Sequence, residues 1–156
     1  MATRTAPPAR RSHGTVNTAN VLLVIIGVII LLASQYGLLW YSVDTTKGFN
    51  VAGTGFTFTD LRANTAKLSA PVAGAYFDWL AVTLLVAVGI VGIAANLPTP
   101  LSDPLRVLGF LLGSLGVVGT FYALAQLFTA QHAAGGSSHS VWHNSSFGTW
   151  AAFAGF

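Results

Sequence analysis

The sequence contains no cysteine and no glutamate, and charged residues of either sign are scarce. Without cysteine the chain can form no disulfide, thiolate-bound copper site, iron–sulfur cluster or covalently attached c-type haem. Seven Lys or Arg and four Asp make up 7% of the 156 residues, and 53% are hydrophobic. Soluble domains carry about 25% charged residues. This composition excludes a soluble enzyme and a disordered chain, and it predicts that most of the protein lies in lipid.

The few basic residues do not form a nucleic-acid-binding surface. The formal net charge is only +3, and three of the seven basic side chains, Arg4, Arg10 and Arg11, lie in the first eleven residues. A basic leader next to an apolar run is typical of a membrane-topology signal. We therefore expect no nucleic-acid partner, and we interpret residues 1–16 as a flexible basic tail in the cytoplasm.

Three apolar segments are each long enough to cross a bilayer, which takes about 20 helical residues. They cover residues 17–40, 79–97 and 105–129. A cleaved signal peptide is the alternative for the first, but its apolar run continues too far toward the aromatic residues near position 40. Aromatic residues near the segment ends are typical of membrane-interface anchors, and we assign this role to Tyr36, Trp40, Tyr41, Tyr76, Trp79 and Trp150.

The segment between the first two spans, residues 41–78, is the longest polar part of the chain. Gly53 and Gly55 indicate a turn, and the alternation of Phe and Thr over residues 56–59 indicates a short strand. Asp60 then predicts the N-cap of a short helix that runs to about Lys67. We expect a small hairpin-and-helix cap against the membrane surface.

The distribution of Lys and Arg orients the chain. The basic tail carries three Arg, whereas the much longer 41–78 segment carries the same number of basic residues. The higher density of the tail places the N-terminus in the cytoplasm of a plasma (inner) membrane. The 41–78 cap and the 130–146 loop are then extracytoplasmic, and the 98–104 turn is cytoplasmic.

The final ten residues, 147–156, are apolar but too short to cross a bilayer. They form either a re-entrant segment or the start of a fourth span that is cut by the end of the sequence, and we expect the second. The predicted fold is an all-α integral membrane protein with three full transmembrane helices, this fourth segment and a small extracytoplasmic cap.

Three histidines of the 130–146 loop are candidate metal ligands. His139 and His143 are four residues apart, and His132 lies nearby. On a helix this spacing places two imidazoles on one face, as half of a zinc or copper site. The intervening 135–138 segment is Gly-Gly-Ser-Ser, which disfavours a helix. We expect a polar loop, with zinc or copper binding as the alternative.

The predicted spans contain almost no ionisable side chain. Gln35 and Gln126 are their deepest polar residues, and Asn96 lies near an end. Pumps, channels and charged-substrate transporters normally place charged residues inside the bundle. No nucleophile, base and orienting group can be assembled from these residues either. We therefore expect no enzymatic activity and no cofactor other than bound lipid.

Small residues form the clearest pattern in the spans. Gly109 and Gly113 make a GxxxG pair on the third span, and such faces let two helices approach closely in lipid. The predicted packing surface consists of Gly109, Gly113, Gly116, Gly119 and Thr120, with Gly89 and Gly92 on the second span. It serves either packing within this chain or docking on another protein.

The order of these features resembles a known group of proteins. An aromatic-ended first span with Leu39-Trp40-Tyr41-Ser42 is followed by a Gly/Phe/Thr hairpin, an Asp-started helix and Asp78-Trp79. This layout, over about residues 20–130, is similar to small multi-span membrane proteins of actinobacteria, which mostly lack an assigned activity. Some of these are accessory subunits of the cytochrome bcc–aa3 oxidase supercomplex. The resemblance implies an accessory or assembly role and supplies no catalytic residue.

The leading hypothesis is therefore a non-catalytic subunit that packs against a larger membrane complex, most readily a respiratory one. One alternative is a homo-oligomeric transporter or channel for a neutral solute, with Gln35, Gln126 and Asn96 along its path. The other is a membrane protein that binds zinc or copper outside the cytoplasm through the three histidines.

Overall fold

The computed structural model describes residue 16 and residues 18–42, 55–65, 70–133 and 145–156. These residues are mostly helical, with one small antiparallel sheet. In chain order the elements are α1 (Thr18–Tyr36), β1 (Leu39–Ser42), β2 (Gly55–Thr57), α2 (Phe58–Thr65), α3 (Pro71–Ala94), α4 (Ser102–Ala133) and α5 (Phe147–Gly155).

Three helices are long and apolar enough to cross a membrane, which confirms the prediction of a mostly helical chain with three candidate membrane spans. They are α1, α3 and the Ser102–Leu127 part of α4, with 19, 24 and 26 residues. Their large aliphatic and aromatic side chains are widely exposed on the outside of the bundle. That exposure suits a protein whose outer surface is solvated by hydrocarbon.

All three spans differ in their limits from the predicted ranges, and α4 covers Ser102–Ala133 instead of residues 105–129. Helix α1 ends at Tyr36 instead of residue 40. The N–H of the next residue, Gly37, still donates to the carbonyl of Ala33. The chain then turns into β1. Helix α3 begins at Pro71, well before Trp79, because the fixed φ of proline suits a first helical position. The apolar pattern located the helices but not these ends.

Helix α3 contains one π-helical turn over Tyr76–Leu80, closed by a hydrogen bond from the Ala81 N–H to the Tyr76 carbonyl. A π-turn adds one residue to the helix and rotates the remainder of the helix about its axis. As a result, the consecutive residues Tyr76 and Phe77 are both buried, whereas Trp79 is exposed. The turn lets two neighbouring aromatic side chains both enter the core.

Strands β1 and β2 pair antiparallel, with Leu39 opposite Thr57 and Ser42 opposite Gly55. The predicted strand is therefore present, although it ends at Thr57 instead of residue 59 because α2 begins at Phe58. Two stretches of the predicted cap, residues 43–54 with the Gly53 turn and residues 66–69 with Lys67, lie outside the described residues.

The assignment of Asp60 as the helix N-cap is wrong. Thr57 occupies that position, and its Oγ1 accepts a hydrogen bond from the Asp60 N–H at 3.2 Å. The Asp60 carboxylate accepts the Thr57 N–H in return at 2.9 Å. This is a capping box in which an aspartate takes the place of the usual glutamate. Each residue satisfies a backbone donor of the other, so α2 begins two residues before Asp60.

A cluster of aromatic rings joins β1, α2 and α3. Trp40 contacts Phe58 and Phe77 edge to face, with ring centroids 5.3 and 5.5 Å apart. Tyr76 meets Phe77 in the same way at 5.3 Å. Edge-to-face pairs each add about 0.5–1.5 kcal/mol beyond the area that they bury. This cluster fixes the sheet and α2 on one end of the helix bundle.

Helix α5 lies between α1 and α4 and reaches only the middle of the bundle. Its last residue, Phe156, lies against Gly113 and Gly116 of α4, and Gly155 lies against Gly27 of α1. Gly27 is the midpoint of Thr18–Tyr36, and the two α4 glycines flank the midpoint of Ser102–Leu127. The described fourth segment is therefore a half-length helix.

Candidate functional site: a buried polar layer and an apolar groove

The cap end of the bundle contains a chain of buried hydrogen bonds between α1, β1 and α5. The Trp40 indole N–H donates to the Ser34 carbonyl at 2.6 Å, and the Ser34 hydroxyl donates to the Gly148 carbonyl at 2.7 Å. The Thr149 hydroxyl and the Ser146 N–H both donate to the Trp40 carbonyl, at 2.7 and 3.0 Å. These bonds hold α5 in place through its first turn.

A second set of polar contacts links α3 to α4. The Tyr76 and Thr120 hydroxyls lie 2.5 Å apart, and the Thr120 hydroxyl also donates to the Gly116 carbonyl at 2.8 Å. Because a threonine hydroxyl has a single proton, Tyr76 is the donor to Thr120. The Gln126 amide oxygen accepts the Ala73 N–H at 2.8 Å. That N–H lies in the first turn of α3, where backbone N–H groups have no acceptor within the helix.

Gln35 differs from these neighbours. It is only 3% exposed, and its Oε1 is the one fully buried side-chain polar atom in the described part of the chain that lacks a hydrogen-bond partner. It lies on the same stripe of α1 as Val28, seven residues earlier, which faces Gly89 of α3. An unsatisfied buried acceptor costs about 1–3 kcal/mol.

Every predicted small residue lies against another part of this chain. A Cβ added to Gly113 or Gly116 would meet Phe156, and one added to Gly119 would meet Tyr76. The other contacts pair Gly89 with Val28, Gly92 with Val24 and Gly109 with Val91, and Thr120 bonds to Tyr76. These residues hold α1, α3, α4 and α5 together, and their additional use by a partner stays a prediction.

The predicted interface anchors divide into two groups. Trp40, Tyr41 and Tyr76 are buried, at 1%, 5% and 1% exposure, so they cannot face lipid headgroups as proposed. Their aromatic character serves the core instead. Tyr36, Trp79 and Trp150 are exposed on the outside of the bundle. Their anchoring role stays a prediction.

The candidate histidine site falls almost entirely outside the described residues, which exclude His139 and His143. His132 lies in the last turn of α4. Within the described ranges, no group of three His, Asp or Glu residues could hold a metal ion. The described residues therefore do not test the hypothesis of zinc or copper binding.

The charged residues that the structure describes lie at the ends of the bundle. Arg62 of α2 pairs with Asp78 of α3 at 2.7 Å, and Arg106 pairs with Asp103 in the first turns of α4 at 3.3 Å. Both pairs are largely exposed, so each contributes at most about 1 kcal/mol. Hydrogen bonds from the Thr57 hydroxyl and N–H lower the pKa of Asp60 below its ordinary value.

A groove of about 350 Å³ opens beyond the end of α5, between α1, α3 and α4. Its walls are mostly apolar, and Asn96 and Arg106 provide its polar side chains. The Asn96 amide donates to the Gly92 carbonyl at 2.8 Å. The groove is lined by residues from α1, α3, α4 and the end of α5, which are far apart in the chain, so no local sequence pattern could have indicated it.

Comparisons of the chain with known protein families, with curated proteins and with solved structures find no match. The resemblance to actinobacterial membrane proteins therefore rests on the layout of the sequence alone.

Proposed function

We propose that this chain is a non-catalytic accessory subunit of a larger membrane complex, most readily a respiratory supercomplex of the cytochrome bcc–aa3 type. The proposal rests on one observation, which is that polar side chains inside the bundle form hydrogen bonds with other parts of the same chain. Ser34, Thr120, Gln126 and Thr149 all bond to other parts of this chain. Such contacts fix helices to one another and leave the outer apolar surface for contact with partners and lipid.

In this proposal the protein lies in the plasma membrane with its N-terminus in the cytoplasm. The sheet and α2 form the extracytoplasmic cap, and α5 is the fourth membrane segment, inserted from the cap side. The polar contacts of Trp40 with Ser34, Ser146 and Thr149 support a common position for the cap and the start of α5. The accumulation of Arg in the first eleven residues supports the orientation.

The outward face of α4 is the surface on which we expect a partner. Phe110 is 75% exposed, and Leu111, Val118 and Tyr122 are more than half exposed on the same helix. Aromatic side chains carry much of the energy of protein interfaces. Phe110 is therefore the first residue to test.

Affinity purification of the N-terminally tagged protein from native membranes in a mild detergent tests the proposal. We expect stoichiometric partner subunits by mass spectrometry and haem bands in the absorption spectrum. Phe110→Ala should weaken the association, whereas Leu22→Ala, an exposed position on α1, should not. A colourless homo-oligomer would contradict the proposal and favour the transporter. Zinc or copper that is lost on joint replacement of His139 and His143 by alanine would favour the metal-binding alternative.

A further inference from the structure

The middle of α4 carries a hydroxyl group that the fold leaves without a partner. Ser114 is the thirteenth of the 26 residues of Ser102–Leu127, so it lies halfway across this span. In the described part of the chain, its hydroxyl takes part in no hydrogen bond. The hydroxyl of Thr83, which lies halfway along α3, donates instead to the carbonyl of Trp79 in its own helix at 2.8 Å. An unsatisfied polar group is costly in hydrocarbon, because lipid tails offer no acceptor.

Ser114 also forms a gap in a row of large side chains. Residues four apart in a helix form a ridge on its surface, and this ridge consists of Phe110, Ser114, Val118 and Tyr122. The three large side chains are more than half exposed, whereas the small side chain of Ser114 is only partly exposed between them. Small residues on an outer face let a second helix approach closely in lipid. The gap therefore lies at the position where the hydroxyl lacks an acceptor.

The composition of this face differs from that of the outer face of α1. The large exposed side chains of α1 before its last residue are all aliphatic. They are Leu22, Leu23, Ile25, Ile26, Ile29 and Leu32. Those of α4 include the aromatic side chains of Phe110, Phe121 and Tyr122, and aromatic residues are enriched at protein interfaces. No charged residue follows Arg106 in α4, so this face suits an uncharged protein surface.

We infer that a transmembrane helix of a partner subunit crosses α4 at Ser114 and accepts a hydrogen bond from its hydroxyl. This inference rests on the proposed function, because it specifies how a partner docks on the outward face of α4. A membrane helix pairs its backbone groups internally, but each carbonyl keeps a second lone pair, and a Ser or Thr hydroxyl also accepts. We therefore expect an uncharged helix with a small or hydroxyl-bearing residue near the middle of the bilayer. Acyl chains can fill the gap but cannot accept the proton.

Photo-crosslinking in native membranes tests the location, with benzoylphenylalanine at position 118 of the full-length chain. We expect a crosslink to another polypeptide, which mass spectrometry maps to an uncharged membrane-spanning segment. Position 26 is the matched control and should capture lipid only, because Ile26 is also exposed and lies near the middle of α1. Capture at position 118 of lipid alone, of this chain or a second copy of it, or of a water-soluble segment would overturn the inference.

The hydrogen bond is tested with Ser114→Ala once the partner is mapped. The dissociation constant of the complex in mild detergent, measured by dilution, should rise about threefold, which corresponds to the average of about 0.6 kcal/mol for a hydrogen bond between membrane helices. Ser114→Leu fills the gap and should raise the constant about tenfold. Thr83→Ala is the matched control and should leave it unchanged, because the Thr83 hydroxyl bonds within α3.

The outcomes separate this inference from the accessory role. An unchanged constant in Ser114→Ala would overturn the hydrogen bond, and an unchanged constant in Ser114→Leu would overturn the crossing point. Partner subunits that co-purify while position 118 captures only lipid would refute this docking position and leave the accessory role standing. Failure of the accessory role would instead appear as the absence of co-purifying subunits.

Discussion

Replacement of Gly148 by alanine should separate α5 from the cap end of the bundle. An added Cβ would lie 2.7 Å from the Leu39 carbonyl oxygen and 2.8 Å from Cδ1 of Trp40. Carbon atoms normally approach to about 3.5–4.0 Å. The first obstacle is backbone, so it cannot turn aside as a flexible side chain could. Either α5 or β1 must move.

The expected cost has three contributions. Overpacking of a core costs about 1–3 kcal/mol, and displacement of Gly148 also weakens its bond from the Ser34 hydroxyl, worth about 1 kcal/mol. The higher helix propensity of alanine offsets about 1 kcal/mol of this destabilisation. We therefore expect the free energy of unfolding to fall by about 1–3 kcal/mol. Tryptophan fluorescence during SDS titration in mixed micelles measures this change, because Trp40 lies at the contact.

Gly74→Ala is the matched control. Gly74 is also helical, but an added Cβ would meet only Thr65, at 3.8 Å and beyond. This variant should be neutral or more stable by up to about 1 kcal/mol. If Gly148→Ala proved as stable as Gly74→Ala, the described packing of α5 against β1 would be refuted.

Three further predictions concern individual polar groups. Gln35→Met should raise the free energy of unfolding by up to about 1–3 kcal/mol in the same titration, because it removes an unsatisfied buried acceptor; a decrease would show that Oε1 has a bound partner. A double-mutant cycle of Tyr76→Phe and Thr120→Val should give a coupling energy of about 0.5–3 kcal/mol, and additive effects would contradict their hydrogen bond. Since its hydrogen bonds lower the pKa of Asp60, the ionised carboxylate stabilises α2 fully above the ordinary value of 3.8, and this stabilisation is lost as pH falls through the lowered pKa. Hydrogen exchange of α2 amides should show that acid-side loss in the wild type and not in Asp60→Asn.

The three candidate spans could be predicted because each is a long run of apolar side chains with almost no charged residue. The ends of the helices could not, since hydropathy does not distinguish lipid from protein interior. Trp40 and Tyr76 show this limit: their amphipathic rings suit a membrane interface, yet both lie in the core. Their positions depend on contacts with Phe58, Phe77 and Thr120, which are not all near them in the sequence.

Of the Thr57 N-cap, the partners of the α4 glycines and the groove, only the N-cap could have been predicted from the sequence. The sequence indicates the Thr57 N-cap, since a threonine three residues before an acidic residue is the pattern of a capping box. The sequence does not indicate which residues pack on the α4 glycines, because the GxxxG pattern is the same for packing within a chain and between chains. The groove is lined by four segments that are distant in the sequence, so its position depends on how the helices pack.

The π-turn of α3 divides this span into two parts with separate helical phases. A residue advances an α-helix by about 100°, and the five residues of this π-turn rotate the chain about as far as four α-helical residues would. If Tyr76–Leu80 became α-helical at unchanged length, the later part of α3 would rotate by about 100° against the earlier part. Either the aromatic pair Tyr76 and Phe77 or the buried Leu84 and Leu85 would then turn away from its partners. Deletion of one residue within the turn would instead restore a regular helix with both parts in their present phase, so any redesign that removes the turn should also remove one residue.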